Sequence, residues 1–174
     1  MMSALRILAS VLVLALAACA GGPSPSFGSA PLTMATPEQM VAAIEAAAGS
    51  GEGELAVQPL RDPMVEDLRE QAGAARAQSR YAAAADALER ALAIVADDPA
   101  LLQERAEIAL LQRDFERAGT LAERAFELGA KVGPLCRRHW ATIQQVRLAA
   151  GDAGGAESAA RQVEGCTVAA PERY

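Results

Sequence analysis

The sequence predicts an all-α fold in which a helical hairpin is repeated, and three observations support this prediction. First, related residue types recur at one fixed interval: Tyr81 and Phe115 are 34 residues apart, and so are Leu88 and Ala122. An interval shared by aromatic and aliphatic positions indicates an internal repeat. Second, an Asp-Pro or Gly-Pro pair, which suits a helix start, occurs three times between residues 62 and 134. Third, the chain is 52% hydrophobic but only 3% aromatic, which favours closely packed helices over β-sheets.

Residues 1–18 are predicted to be a targeting segment rather than part of the fold. A single positive charge, Arg6, precedes an apolar run from Ile7 to Ala17 that is too short to span a membrane comfortably. This arrangement is typical of a signal peptide. An uncleaved signal anchor is the alternative.

The end of this segment, Leu16-Ala17-Ala18-Cys19, resembles the lipobox of bacterial lipoproteins. The resemblance implies cleavage before Cys19 and attachment of acyl chains such as palmitate to that residue. It also implies sorting to the periplasmic face of the outer membrane, because Ala20 rather than aspartate follows the cysteine. Residues 19–35 would then form a lipidated and flexible tether, since they are rich in Gly, Pro and Ser and carry no charge.

Residues 36–61 are predicted to form a short helix followed by a loop. Thr36 can cap this helix, Pro37 suits its first turn, Gln39 can complete a capping box, and Gly49 ends it. A helix of this length is marginally stable alone. We therefore expect it to dock on the first hairpin or to fray.

Six further helices are predicted from the residues that start and stop them. The first helix of each hairpin begins at an Asp-Pro or Gly-Pro pair, and aspartate precedes the second helix of two hairpins. Glycine follows several of the predicted ends. The pairs are Asp62-Pro63, Asp98-Pro99 and Gly133-Pro134; the other aspartates are Asp114 and Asp152; the glycines are Gly129, Gly151 and Gly165. The predicted helices span residues 63–78, 81–96, 99–112, 115–128, 134–150 and 153–164.

This pattern resembles the tetratricopeptide repeat, a 34-residue unit of two antiparallel helices. Small residues at fixed intervals let helices approach closely, and large residues fill the gaps between hairpins. The matching positions of the first unit are Leu68, Ala72, Tyr81, Ala84, Leu88 and Ala91. Those of the second unit are Leu102, Ala106, Phe115, Ala118, Ala122 and Ala125.

A third unit matches the repeat less well. Its matching positions are Trp140, Ile143, Ala156, Ala160 and Val163, whereas Gln144 and Ala153 depart from the pattern. The resemblance implies a short α-solenoid of three hairpins over residues 62–166, with units at about 65–98, 99–132 and 137–166. Residues 167–174 would form a tail. An unrelated all-helical domain is the alternative.

Cys136 and Cys166 are predicted to form a disulfide. Each lies fifteen residues from Gly151, so the two would end level if that glycine is the turn of the last hairpin. The periplasm implied by the lipobox is oxidising. Free thiols are one alternative, and a metal site formed by Cys136, His139 and Cys166 is another, although a fourth ligand is not evident. We expect His139 to lie on the surface within Arg137-Arg138-His139.

The sequence predicts no catalytic activity, cofactor or metal. It contains one histidine, and the nucleophile-elbow, phosphate-loop and zinc-protease motifs are absent. The net charge of −6 argues against nucleic acid as a partner. The paired acids Asp97 and Asp98 are better explained as helix caps than as a general acid and base.

The tetratricopeptide resemblance implies an inner surface made by the first helix of each hairpin. This surface would form a mixed arginine and apolar groove that suits a peptide or a partner helix. Each of its side chains could instead belong to an ordinary solvated face. The exposed candidates are Glu66, Arg69, Arg76, Gln103, Glu107, Leu110, Arg138, Gln145 and Leu148.

We therefore expect a lipid-anchored periplasmic adaptor that binds another protein of the envelope. Such an adaptor would serve envelope assembly or a cell-wall process. One alternative is a structural lipoprotein that self-associates into homo-oligomers through its uncapped repeat ends. Another is an accessory lipoprotein of a pilus or secretion system. A clamp for a carboxylate tail would need lysine and asparagine, but the chain has no asparagine and its one lysine, Lys131, lies in a predicted loop.

Overall fold

The computed structural model describes residues 30–49 and 62–167, and these residues form seven α-helices and no β-strand. The predicted all-α class is therefore confirmed. The helices are α1 (Pro37–Ala48), α2 (Pro63–Ala77), α3 (Tyr81–Ile94), α4 (Pro99–Leu111), α5 (Phe115–Leu128), α6 (Pro134–Ala149) and α7 (Ala153–Gly165). The predicted signal peptide, Cys19, most of the tether, residues 50–61 and the tail after residue 167 lie outside the described residues.

The helices begin where the capping residues predict. Asp98 accepts hydrogen bonds from the backbone N–H groups of Ala100 and Leu101 at 2.8 and 3.1 Å. The side chains of Asp62, Asp114 and Asp152 cap α2, α5 and α7 in the same way. These caps satisfy N–H groups that have no partner within a helix. Both the first and the last residue of each helix from α2 to α7 lie within two residues of the predicted position.

The first helix of each hairpin also ends in the same way. Ser79, Arg113 and Gly151 each adopt a left-handed backbone conformation, with φ of 55°, 63° and 76°. In each turn, this residue and the next donate backbone hydrogen bonds to carbonyls three and five residues earlier. That pair of bonds defines a Schellman motif. The three hairpins thus share one turn geometry, although only the last of them has glycine at the left-handed position.

The hairpins α2–α3, α4–α5 and α6–α7 pack in chain order, and α4 also contacts α6. Small residues lie where helices meet, because they let backbones approach. Ala84, Ala91, Ala118, Ala122 and Ala125 are all fully buried. The irregular third hairpin joins the second through ring contact between Phe126 and Trp140, whose centroids are 4.8 Å apart.

Cys136 and Cys166 lie at disulfide distance at the open end of the last hairpin, with their Cα atoms 5.7 Å apart. Both residues are buried. The Gly133 N–H donates to the carbonyl oxygen of Cys166 at 2.7 Å, so the start of α6 and the end of α7 are also joined by backbone. This arrangement is compatible with the predicted pairing.

The N-terminal helix α1 docks in a different place from the one predicted. It packs mainly on α6 and also on α4, the first helices of the third and second hairpins. Met40, Val41 and Ile44 are buried. The expectation of fraying is therefore wrong. The first hairpin supplies polar contacts, from Arg76 to Glu45 and from Tyr81 to Glu38, but not the main packing surface of α1. The apolar side chains of α1 cover the surface where α4 and α6 meet, which sequence neighbourhood alone does not reveal.

Candidate functional site

An open cleft of about 320 Å³ lies between α2 and α4, on the face made by the first helices of the hairpins. We call it the α2–α4 cleft. Its lining residues are Glu66, Arg69, Glu70, Ala72, Gly73, Arg76, Leu88, Glu104, Glu107, Ile108 and Arg138. Five of the nine predicted groove residues are among them: Glu66, Arg69, Arg76, Glu107 and Arg138. The helical spacing of the first helices thus places these side chains around one opening.

Arg69 links α2 to α4 at one wall of the cleft. Its Nη1 donates to both carboxylate oxygens of Glu66 at 3.1 Å, and its Nε lies 3.1 and 3.2 Å from those of Glu104. The hydrogen bond with Glu104 raises the pKa of Arg69 above its ordinary value. The guanidinium is therefore held in a fixed position between two carboxylates that are both partly open to solvent.

Glu107 provides the charged floor of the cleft. It is 1% exposed, and Arg138 donates to its two oxygens at 2.5 and 2.7 Å. Burial opposes the charge on Arg138, but the charge and hydrogen bonds of Glu107 raise the pKa of this arginine. Arg76 lies 3.8 Å from the same carboxylate and pairs with Glu45 of α1 at 2.5 Å. The cleft and α1 consequently share one arginine.

A buried polar network continues from Glu107 between α4 and α6. The Gln103 side-chain amide donates to Glu107 at 2.9 Å and to the Thr142 hydroxyl at 2.7 Å. That hydroxyl donates in turn to the carbonyl oxygen of Arg138. Because the Gln103 amide nitrogen has both of its hydrogens in use, its Oε1 is the acceptor for His139 Nδ1 at 2.7 Å. The network fixes the register of the second hairpin against the third.

His139 is buried, so the expectation that it lies on the surface is wrong. Its Nδ1 carries the hydrogen, which leaves Nε2 as a buried acceptor without a hydrogen-bond partner. Burial, with the positive charges of Arg138 and Lys131, lowers the pKa of His139 to about 4. The imidazole is therefore neutral near pH 7.

Three of the predicted groove residues are not exposed. Gln103, Glu107 and Leu110 are each 0–1% exposed, so the expectation of an exposed position is wrong for them. Gln103 is enclosed between α4 and α6, and Leu110 belongs to the same buried cluster as the apolar residues of α1. Gln145 and Leu148 are half-buried and lie outside the α2–α4 cleft.

Sequence reasoning missed two acidic residues of the cleft, Glu70 and Glu104. Glu104 follows Gln103 on α4 and would have been found by pairing the charges of α2 with those of α4 one repeat later. It lies 35 positions after Arg69, its partner. The repeat spacing gave no indication that Arg137 contacts α1.

The comparisons with known proteins do not identify a family: no protein-family model matches the chain, and no curated protein matches it. Within residues 30–49 and 62–167, no group of three or more His, Cys, Asp and Glu side chains could hold a metal ion. None of the helices in these two ranges is both long and apolar enough to cross a membrane.

Proposed function

We propose that this protein is a lipid-anchored adaptor of the bacterial periplasm that binds a segment of another envelope protein. The observation that carries the proposal is the α2–α4 cleft. Its arginines and glutamates come from three successive first helices, α2, α4 and α6, and are held by hydrogen bonds. A partner that binds this surface can contact oriented charges and apolar side chains together. Helical arrays that bind peptides offer the same combination.

The proposal includes a short α-solenoid that resembles the tetratricopeptide repeat. Three features support it: the 34-residue interval, the buried small residues at matching positions, and the shared Schellman turns at Ser79, Arg113 and Gly151. Stacked hairpins of this kind expose their first helices along one face. This face contains the α2–α4 cleft.

Anchoring through Cys19 would place the domain at the periplasmic side of the outer membrane. The lipobox-like sequence supports this location, and more than one acyl chain gives stable attachment. The Leu32 N–H donates to the carbonyl oxygen of Leu148 at 2.8 Å, so the predicted tether to residue 35 is too long. A flexible tether of the length of residues 20–31 has a root-mean-square reach of about 17–21 Å. The domain could then meet partners close to the membrane surface.

The experiment that tests the adaptor is crosslinking and affinity capture from cell envelopes. The test variant combines Arg69→Ala with Arg76→Ala in the cleft, and the control variant combines Arg124→Ala with Arg161→Ala on exposed surfaces of α5 and α7. A partner captured by the wild type and by the control, but lost from the cleft variant, supports the proposal. Equal capture by both variants contradicts it, provided that both variants unfold cooperatively.

Self-association is a second candidate function, because apolar side chains are exposed at hairpin ends. Ile94 and Leu128 occupy equivalent positions 34 residues apart and are 43% and 47% exposed, and Val132 follows nearby. Exposed apolar residues that share an edge can support contact between copies. Sedimentation equilibrium of the wild type and of an Ile94→Ser, Leu128→Ser variant tests this alternative.

A further inference from the structure

Helix α1 contacts the rest of the domain as a short amphipathic ligand would. Met40, Val41 and Ile44 face α4 and α6 and are buried, whereas Ala42, Ala43 and Glu45 are exposed. This pattern of buried positions at one-residue and three-residue intervals is the pattern of helices that bind in grooves. We call the surface that α1 covers, together with Arg76 and Arg137 at its rim, the α1 seat.

The rim of the α1 seat recognises features that any suitable helix could supply. The Arg137 guanidinium donates to the carbonyl oxygen of Ala48 at 2.7 and 3.1 Å. It thereby binds the unsatisfied carbonyl end of α1, which every helix possesses. Arg76 pairs with Glu45 at 2.5 Å. The α1 seat therefore favours a helix that has an apolar face, a carboxylate beside that face and its C-terminal end near Arg137.

The hairpins also contact one another directly, although Met40, Val41 and Ile44 of α1 belong to the same buried cluster as their apolar residues. Helix α3 packs on α4, α5 packs on α6, and α4 contacts α6 directly. No residue of α1 lines the α2–α4 cleft, so α1 fills only part of the inner face. The cleft and the α1 seat adjoin at Arg76, which lines the cleft and binds Glu45.

We infer that the α1 seat is a second part of the partner-binding surface and that α1 is its built-in competitor. The partner is an amphipathic helix of another protein with two adjacent apolar residues, a third apolar residue three positions later and a carboxylate directly after it. This inference rests on the proposed adaptor function for the source of the helix. The existence of a refillable seat can be tested without the partner.

A helix from another protein fits this surface better than a helix from a second copy of the chain. A tethered α1 has a high effective concentration at its own seat, so the same helix from another copy gains no contact by replacing it. A foreign helix that extends beyond Arg76 gains contacts with the open α2–α4 cleft. Contacts with the exposed Glu70, and with the carboxylates of Glu66 and Glu104 where they are open to solvent, supply the free energy for displacement.

The test uses a fluorescent synthetic peptide of residues 36–49 as the probe. In the full chain, Ile44→Glu places a charge at a fully buried position of α1. We therefore expect α1 to leave the seat and the seat to bind the peptide saturably. The wild-type chain is expected to bind the peptide at least about tenfold more weakly, because its own α1 competes. A control peptide with Ile44→Glu should not bind either chain. Fluorescence anisotropy measures each affinity.

A second variant provides a test that does not depend on whether the Ile44→Glu chain folds. Glu45→Arg removes the ion pair with Arg76 and keeps every apolar contact of α1, and its peptide affinity should lie between those of the wild type and Ile44→Glu. Absence of peptide binding to a cooperatively folded Ile44→Glu chain overturns the inference. So does binding confined to an Ile44→Glu chain that has lost its cooperative unfolding.

The oligomeric state separates the foreign helix from a second copy. A monomeric wild-type chain supports the inference, whereas a wild-type dimer that Ile44→Glu abolishes overturns it in favour of α1 exchange between copies. Failure of the adaptor proposal has a different signature. In that case the peptide still refills the seat, but envelope capture is the same for the cleft variant and its control.

Discussion

Arg138 holds the carboxylate of Glu107 by two hydrogen bonds, from Nε at 2.5 Å and from Nη2 at 2.7 Å, at a site where Glu107 is almost fully enclosed. The pair joins α4 to α6 at the floor of the α2–α4 cleft. Gln103 donates to the same carboxylate. Removing the carboxylate therefore leaves the Arg138 guanidinium and one N–H of the Gln103 amide without this acceptor.

Glu107→Ala is expected to lower the free energy of unfolding by about 3 kcal/mol, because it breaks a largely buried ion pair from one side. The control is Glu157→Ala, which removes an exposed pair with Arg161 within α7 and should cost about 0.5 kcal/mol or less. Urea denaturation followed by circular dichroism measures both. Equal midpoints for the two variants would show that Glu107 does not stabilise the contact between α4 and α6.

The buried neutral His139 gives stability a defined dependence on pH. Its pKa is about 4 in the folded chain and about 6.5 in an unfolded one, so the unfolded state binds more protons between these values. The contribution of the neutral His139 to the free energy of unfolding is complete above pH 6.5 and is lost as the pH falls towards 4. It amounts to at most about 3 kcal/mol.

His139→Gln should reduce the decline in unfolding free energy between pH 6.5 and 4, since glutamine does not titrate in this range. Urea titrations of the wild type and the variant at several pH values measure the two slopes. The variant is expected to be less stable at pH 7, because its side chain fits the Gln103 contact less well. If the unfolding free energies of the two chains change equally with pH, His139 is not the group responsible for the decline.

Local residues determined the helices, and for this reason their bounds could be predicted. Asp98 and Pro99 start α4 through contacts within one turn, and Gly151 stops α6 by adopting a left-handed conformation. Neither feature depends on the rest of the fold. Ser79 and Arg113 occupy the same left-handed position without being glycine. The repeat interval predicted the turn at Ser79, and the capping residue Asp114 also indicated the turn at Arg113.

The site depended on contacts between helices, and it was predicted only in part. The repeat spacing assigned Arg69 and Arg138 to the first helices of their hairpins, and both line the α2–α4 cleft. It could not show that α6 encloses Gln103 or that α1 crosses to the third hairpin. An exposed polar side chain and a buried one cannot be told apart in the sequence when the residue that pairs with the buried one is distant. Thr142, the partner of Gln103, lies 39 residues after it.

The Cys136–Cys166 pair should stabilise the last hairpin. The two residues are separated by 30 positions and lie at disulfide distance, and closing a loop of that length stabilises by about 3–4 kcal/mol in the chain-entropy model. A Cys136→Ser, Cys166→Ser variant should therefore unfold at lower urea concentration than the oxidised wild type. Alkylation and intact-mass measurement on the protein isolated from its native cells check the oxidation state. Two reactive thiols in that material would contradict the disulfide prediction.

The shared turn geometry leads to a matched pair of substitutions with opposite signs. Arg113 holds a φ of 63°, which costs free energy for a residue with a Cβ, whereas glycine adopts it without strain. Arg113→Gly should therefore raise the free energy of unfolding by about 0.5–1 kcal/mol, and Gly151→Ala should lower it by about 1 kcal/mol. Both positions end a first helix and precede a capping aspartate, so their surroundings are comparable. Thermal and urea unfolding of the two variants provide the measurement. Destabilisation by Arg113→Gly would mean that the arginine side chain contributes more to the turn than its backbone strain removes.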